Sequence, residues 1–160
     1  MLTSHTHSAD ETRALAERLG MALLAGDVLC LRGDLGAGKT TWTQGLARGL
    51  GVPEADPVNS PTFTLLAEHR SGRVPLFHFD VYRLDSSAGL YDLAFDEYLD
   101  GEGVVVIEWA DRIADALPGN RLDIALVSEG TDSRTITDSR TITFTPHGAR
   151  ARQLLEALTP

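Results

Sequence analysis

The chain has 160 residues, 42 % of them hydrophobic, and a formal net charge of −9. This length predicts a single domain, 1–160, with a core large enough to fold without disulfides. The single cysteine, Cys30, excludes an intrachain disulfide, and no apolar stretch is long enough for a membrane span. The acidic balance argues against a nucleic-acid-binding surface, because clustered Lys and Arg bind phosphate backbones. It is compatible with a basic protein partner, and equally with a role in solubility alone.

The N-terminal third begins with a polar segment, followed by a helix and a strand. Residues 1–7 carry no signal peptide, which predicts a cytoplasmic protein, and we expect them to form a flexible tail. A helix is predicted over 8–25, because Ser8 and Glu11 form a capping box ahead of an apolar face. Residues 27–32 are a short apolar run bounded by glycines and are predicted to form a buried strand.

Residues 33–40 read Gly-Asp-Leu-Gly-Ala-Gly-Lys-Thr, a full match to the phosphate-binding pattern G-x-x-x-x-G-K-[ST]. Glycines let successive backbone N–H groups point at a phosphate, Lys39 supplies a cation, and the Thr40 hydroxyl suits Mg²⁺. A strand precedes the loop and a helix to about Leu50 follows it, which is the order that such a loop requires. The sequence therefore predicts a site for a nucleoside triphosphate with Mg²⁺. Its candidate binding residues are Asp34, Leu35, Gly36, Ala37, Gly38, Lys39 and Thr40.

The rest of the chain alternates predicted strands and helices, as is typical of an α/β domain. Residues 51–61 hold three prolines beside the phosphate site and form a candidate mobile segment. Further strands are predicted at 62–70 and 74–81, which pair as a hairpin, and at 104–107, 122–127 and 141–145. Further helices are predicted within 86–99, 110–117 and 148–158.

A hexapeptide is duplicated near the C-terminus, since Thr131–Ile136 is repeated without change at Thr137–Ile142. Two copies are too few for a repeat architecture. Because the insertion has an even number of residues, the strand that follows keeps its inward and outward faces. We predict a lengthened hairpin loop at 128–140.

A phosphate loop of this kind needs a carboxylate on the magnesium side, at the end of a neighbouring strand. Glu108 directly follows the apolar run 104–107, and Asp80 closes another strand. The alternatives are structural: a surface acid that ends a strand for Glu108, and a salt bridge, for example with Arg83, for Asp80. His78 shares a strand face with Asp80 and is either a catalytic base or a hydrogen-bonded structural residue.

Three further residues are candidates beside the same site. Thr62 follows the proline-rich segment, where its hydroxyl would contact Mg²⁺ or the γ-phosphate, or would cap a strand. Arg83 is a candidate for contact with the γ-phosphate, or for structural pairing with an acid. Trp109 is expected either to stack near the nucleotide or to pack in the core.

Four motifs occur together in this short chain: residues 33–41, Ser60-Pro61-Thr62-Phe63, His78-Phe79-Asp80-Val81-Tyr82-Arg83, and Ile107-Glu108-Trp109. In this order they resemble the TsaE family, the bacterial ATPase of tRNA threonylcarbamoyladenosine biosynthesis. The resemblance runs from about Glu11 to Leu158. It implies a P-loop NTPase-like three-layer α/β fold with a mixed, partly parallel central sheet.

The resemblance also implies slow ATP hydrolysis with Mg²⁺, within an assembly of two partner proteins that modify the adenosine next to the tRNA anticodon. The tRNA would be held through the partners, and no membrane would be involved. The resemblance implies that Lys39 and Thr41 bind phosphates and that Thr40 and Glu108 bind Mg²⁺. It also implies that Asp80 lies near the metal and that Thr62 belongs to the catalytic residues. Ala94 stands where the family usually has glycine.

Two other functions remain open from the residues alone. A small-molecule kinase needs a second substrate pocket and usually an arginine-rich lid, yet the 14 Lys and Arg of this chain form no basic cluster. A nucleotide-dependent binding module would use nucleotide only to order the segment 51–61. A GTPase is less favoured, because the chain lacks an N-K-x-D motif for reading the base.

Overall fold

A mixed seven-stranded sheet forms the centre of the protein, with strand order β1-β7-β6-β2-β5-β4-β3. The structure is a computed structural model and describes residues 1–129 and 138–159. Strands β6, β2, β5 and β4 are mutually parallel, whereas β1, β7 and β3 run antiparallel to their neighbours. This confirms the predicted mixed, partly parallel sheet. The strands are β1 (Leu2–Thr6), β2 (Val28–Arg32), β3 (Leu66–His69), β4 (Leu76–Asp80), β5 (Val104–Glu108), β6 (Arg121–Ser128) and β7 (Arg140–His147).

Helices cover both faces of the sheet and give the predicted three layers. One core cluster joins α1, α2 and α4 to one face, and a second cluster joins α3 and two 3₁₀ segments to the other. Strand β2 contributes Leu29 and Leu31 to the first cluster and Val28 and Cys30 to the second, which explains its uninterrupted apolar sequence. The helices are α1 (Ala9–Ala22), α2 (Lys39–Gly49), α3 (Phe95–Tyr98) and α4 (Ala149–Glu156), and the 3₁₀ segments are Ser87–Leu93 and Ala110–Ala116.

Helix α1 begins at the predicted capping box. The backbone N–H of Glu11 donates to Ser8 Oγ at 3.0 Å, and the Glu11 carboxylate accepts from the backbone N–H of His7 at 2.6 Å. The helix ends at Ala22, three residues earlier than predicted. No helix in the described part of the chain is both long enough and apolar enough to cross a bilayer.

Helices α1 and α2 approach each other closely through glycines. A Cβ atom on Gly45 would lie 2.3 Å from the carbonyl oxygen of Arg13, and one on Gly20 would lie 2.4 Å from that of Leu46. Only glycine therefore fits where the two backbones meet. This contact sets the position of α2 on the sheet, and with it the position of the side chains in the first turn of α2.

The prediction of a flexible tail at residues 1–7 is wrong, because these residues contain β1. Leu2 pairs with Phe144 and Thr6 pairs with Arg140 in an antiparallel ladder along the outer edge of β7. Thr6 is buried, and its hydroxyl is 2.7 Å from that of Thr12 in α1. The ladder satisfies backbone groups of β7 that would otherwise lie unpaired at the sheet edge, and this long-range gain overrides the polar local sequence.

The strand predicted over 62–70 is shorter than expected. A turn occupies its first residues, where the backbone N–H of Leu65 donates to the Pro61 carbonyl at 2.7 Å and Leu65 has a φ of +68°. Strand β3 then pairs with β4, which confirms the predicted hairpin. The turn moves Thr62 out of the ladder, so its hydroxyl is free to reach the end of β4.

Cys30 is a fully buried core residue of β2, and burial raises the pKa of its thiol to about 12. The first copy of the hexapeptide, 131–136, lies outside the described residues, as does most of the predicted loop at 128–140. Strands β6 and β7 flank that loop and pair antiparallel from Arg121 to His147.

Candidate functional site

The 33–40 loop lies at the carboxyl end of β2, between the central strand and the N-terminus of α2. Gly36 and Gly38 have φ values of +79° and +105°, conformations that favour glycine. Asp34, Leu35 and Gly36 are exposed, whereas Ala37 is buried and holds the loop on the core. The sequence has therefore folded into the strand, loop and helix order that exposes backbone N–H groups to an anion.

An arginine from β7 braces this loop. Arg140 Nε donates to the Ala37 carbonyl at 2.8 Å, and Arg140 Nη2 donates to the Gly36 carbonyl at 3.1 Å. Both contacts occupy carbonyl oxygens of the loop and tie it to β7. Sequence reasoning missed this residue, because its partners are about one hundred positions away in the chain.

Lys39 is 6 % exposed at the first position of α2, and its ammonium group folds back over the loop. Lys39 Nζ donates to the carbonyl oxygens of Gly33 at 2.5 Å and Asp34 at 2.8 Å, and it lies 4.0 Å from the ring centroid of Trp109. Burial lowers the pKa of the Lys39 ammonium, and the charges of nearby carboxylates oppose that shift. Those carboxylates belong to Glu108, Asp80, Asp34 and Asp111.

Glu108 and Asp80 lie side by side at the same sheet edge. Glu108 ends β5 and Asp80 ends β4, the two residues pair in register, and each residue is 2 % exposed. Parallel strands bring their carboxyl ends together, which is why two carboxylates distant in sequence meet beside the 33–40 loop. Neither acid is a surface residue.

Asp80 is paired with Thr62 and not with Arg83. Thr62 Oγ1 donates to Asp80 Oδ2 at 2.9 Å, and the backbone N–H of Tyr82 donates to Oδ1 at 3.0 Å. The Arg83 guanidinium instead lies 5.0 Å from the ring of Phe63, which is 84 % exposed. The structure thus brings Thr62 and Asp80 together at the site and places Arg83 on the surface beside it.

Ser60 connects α2 to the carboxylate of Glu108, although sequence reasoning selected Thr62 from the same motif. Ser60 Oγ is hydrogen-bonded to Thr40 Oγ1 and donates to Glu108 Oε2 at 2.8 Å. His78 is fully buried, and its Nε2 lies 2.7 Å from the same Glu108 oxygen. His78 is thus a hydrogen-bonded residue behind Glu108. The available sequence signal was a second hydroxyl two residues before Thr62.

The remaining predicted contact, Thr41, lies half-buried in the first turn of α2. Trp109 follows Glu108 with a φ of +63°, and its ring contacts Lys39 and the ring of Tyr82, whose centroid is 4.9 Å away. Trp109 therefore lies at the site, half-buried and packed against the second core cluster.

The donors at this edge fit Mg²⁺ when it arrives with a nucleotide. Among the described residues, no three His, Cys, Asp or Glu side chains form a group that would hold a metal ion alone. Mg²⁺ commonly uses one or two protein oxygens and takes its other ligands from water and phosphates. A single hydroxyl, that of Ser60, is hydrogen-bonded to both Thr40 and Glu108, so these two side chains converge on one place at this edge of the sheet.

Comparison with known proteins identifies the family. The profile of the family described as Threonylcarbamoyl adenosine biosynthesis protein TsaE matches residues 6–136. The chain belongs to the TsaE family. The tRNA threonylcarbamoyladenosine biosynthesis protein TsaE of Bacillus subtilis (strain 168) is 46 % identical over 153 residues, which cover 96 % of this chain and 90 % of that protein. The protein of the same name from Treponema pallidum (strain Nichols) is 43 % identical over 132 residues, covering 82 % and 96 %.

A solved structure supports the same conclusion for this TsaE chain. The crystal structure of Bacillus subtilis YdiB has a TM-score of 0.79 and 41 % sequence identity, and the match covers 98 % of this chain and 93 % of that one. The fold and the family predicted from the four motifs are therefore confirmed. In this TsaE protein all four motifs meet at the carboxyl edge of the sheet, around Lys39, Ser60, Asp80 and Glu108.

Proposed function

We propose that this TsaE protein binds and slowly hydrolyses ATP, and that its nucleotide cycle switches a complex that forms threonylcarbamoyladenosine next to the tRNA anticodon. The observation that carries the proposal is that the lysine and the threonine of the 33–40 loop meet a buried glutamate at the end of a strand. Lys39 lies over the loop, and Thr40 reaches Glu108 through Ser60. This arrangement suits phosphoryl transfer, which depends on positioning and on charge stabilisation.

Each residue has a role in that reaction. The N–H groups of the 33–40 loop and Lys39 bind the phosphate oxygens and stabilise the charge that develops as the γ-phosphate leaves. Thr40 and Glu108 would hold Mg²⁺, which supplies further positive charge when bound. Asp80, fixed by Thr62, adds a second carboxylate beside Glu108. Lys39 exchanges its bonds to Gly33 and Asp34 for bonds to phosphate.

The partners follow from the family and from the charge of the chain. We propose two protein subunits of the threonylcarbamoyladenosine-forming complex as partners, in the cytoplasm where tRNA is modified. The net charge of −9 disfavours direct binding of tRNA, so the partners would hold it. The exposed Phe63 beside the Thr62–Asp80 pair is suited to report the state of the site to a partner.

The test is phosphate release from Mg²⁺-ATP, measured with and without the two purified partner subunits. We expect a weak rate that rises when the partners are added. A rate that stays the same when the partners are added would contradict the proposed switch and would favour a kinase or a stand-alone nucleotide hydrolase. Phosphate that appears on a metabolite instead of free in solution would identify a kinase.

A further inference from the structure

The hydroxyl of Ser60 contacts both residues that we propose as magnesium ligands. It is hydrogen-bonded to Thr40 Oγ1 and donates to Glu108 Oε2 at 2.8 Å. Thr40 lies in the first turn of α2, Glu108 ends β5, and Ser60 belongs to the irregular segment between α2 and β3. One side chain therefore connects three separate parts of the fold at the point where the cation would bind.

The protons in this chain of hydrogen bonds have one self-consistent arrangement. A serine hydroxyl carries a single proton, and an ionised carboxylate only accepts. The Ser60 proton therefore goes to Glu108, and in the contact between the two hydroxyls Thr40 must be the donor. His78 Nε2 must likewise be the donor in its contact with the carboxylate, and His78 Nδ1 is buried without a partner in the described part of the chain.

This arrangement of protons determines which lone pairs are available to a cation. The proton of Thr40 points at Ser60, so the lone pairs of the Thr40 oxygen face away from Ser60. Ser60 and His78 both donate to Oε2 of Glu108, and no hydrogen bond within the described residues reaches Oε1. A cation needs lone pairs directed at it, and a hydroxyl whose proton is held elsewhere provides them without reorganisation.

We propose that Ser60 is a positioning residue for Mg²⁺, which orients the Thr40 hydroxyl and holds Glu108 so that both present lone pairs to the ion; this rests on the proposed ATP-binding function. Ser60 is itself held from the same helix, because Gln44 Nε2 donates to the Val58 carbonyl at 3.0 Å. Val58 is buried. The segment 51–61 is thereby attached to α2 beside the site, which makes the quality of the magnesium site depend on the position of that segment.

The experiment compares ADP affinity with Mg²⁺ and with EDTA, by isothermal titration calorimetry, for the wild type, Ser60→Ala and Ser60→Thr. In EDTA we expect Ser60→Ala to bind ADP within twofold of the wild type. With Mg²⁺ we expect the metal-dependent tightening to shrink at least fivefold in Ser60→Ala. Ser60→Thr keeps the hydroxyl and should retain the tightening. Ser71→Ala is the matched control, because Ser71 is exposed and bonds only Asp56 among the described contacts, at 2.7 Å.

Three results would overturn the role of Ser60. These are an unchanged magnesium effect in Ser60→Ala, an equal loss of affinity in EDTA and in Mg²⁺, and a failure of Ser60→Thr to exceed Ser60→Ala. A thermal melt of each variant establishes that it is folded, and Ser60 is only half-buried, so alanine fits there. If the wild-type protein binds ADP equally well with Mg²⁺ and with EDTA, that result would instead contradict the proposed function itself.

Discussion

Replacing Lys39 with methionine should abolish tight nucleotide binding without unfolding the protein. Lys39 Nζ makes two hydrogen bonds to the neutral carbonyl oxygens of Gly33 and Asp34, and in the nucleotide complex it would exchange them for stronger bonds to negatively charged phosphate oxygens. Hydrogen bonds to charged groups contribute about 1.5–3 kcal/mol. Loss of that contribution lowers affinity about 10- to 150-fold, since each 1.4 kcal/mol is about a factor of ten.

The effect of the same substitution on stability has the opposite sign. The folded protein lowers the pKa of Lys39 through burial, so the unfolded chain binds this proton more tightly than the folded one. The resulting penalty is fully present below the folded pKa and disappears as pH rises past the unfolded pKa, near 10.4. At neutral pH methionine removes the penalty, so Lys39→Met should melt at the wild-type temperature or above it.

The sequence offers an unusually direct assay, because Lys39 is the only lysine in the chain. An amine-reactive reagent followed by mass spectrometry labels Lys39 and the N-terminal amine alone, and Mg²⁺-ATP should protect Lys39 selectively. Calorimetry of ADP binding and a thermal melt complete the comparison, with Arg48→Met as the control, a cation exposed near the end of the same helix. Unchanged ADP affinity in Lys39→Met would refute the phosphate role, and a melting temperature several degrees lower would refute the stability argument.

Four further substitutions and one deletion have expected outcomes. Glu108→Gln should lower phosphate release far more than ADP affinity, and normal turnover would remove Glu108 from the mechanism. Ala94 has a φ of +52°, so Ala94→Gly should raise the melting temperature by about 1–4 °C, whereas Ala14→Gly on the exposed side of α1 should lower it. Gly45→Ala would place a Cβ 2.3 Å from a carbonyl oxygen of α1 and should lower the melting temperature by about 2–12 °C. Deletion of 131–136 should leave it almost unchanged, and a large drop would show that the duplicated segment is packed.

The parts of the site that the sequence predicts are those fixed by neighbouring residues. The loop lies between a strand and a helix that adjoin it in the chain, so Lys39 and Thr40 could be placed from the motif alone. Glu108 and Asp80 each end an apolar strand, and parallel strands bring such ends together. In each case the deciding interaction is local or follows from a general rule about sheets.

The features that sequence reasoning missed depend on distant partners. Strand β1 has a polar sequence and exists because β7, almost 140 residues later, offers it an edge. Arg140 braces the 33–40 loop from β7. Ser60 and Thr62 reach different carboxylates because of the turn at Leu65, which no local residue preference predicts. Each of these depends on which strands become neighbours, and an unaligned sequence carries little information about that.

Three non-glycine residues in the described part of the chain have a positive φ. Two of these strained conformations contribute to the site, and the third does not. Leu65 closes the turn that brings Thr62 to Asp80, and its carbonyl accepts the backbone N–H of Asp80 at 3.0 Å. Trp109 uses the same conformation to place its ring against Lys39. Such conformations are unfavourable by about 1–3 kcal/mol and persist where the surroundings enforce them. Ala94 instead lies between the Ser87–Leu93 segment and α3, where its backbone hydrogen bonds go to Tyr91 and Glu97. Relief of strain by glycine should therefore come without functional loss only at Ala94.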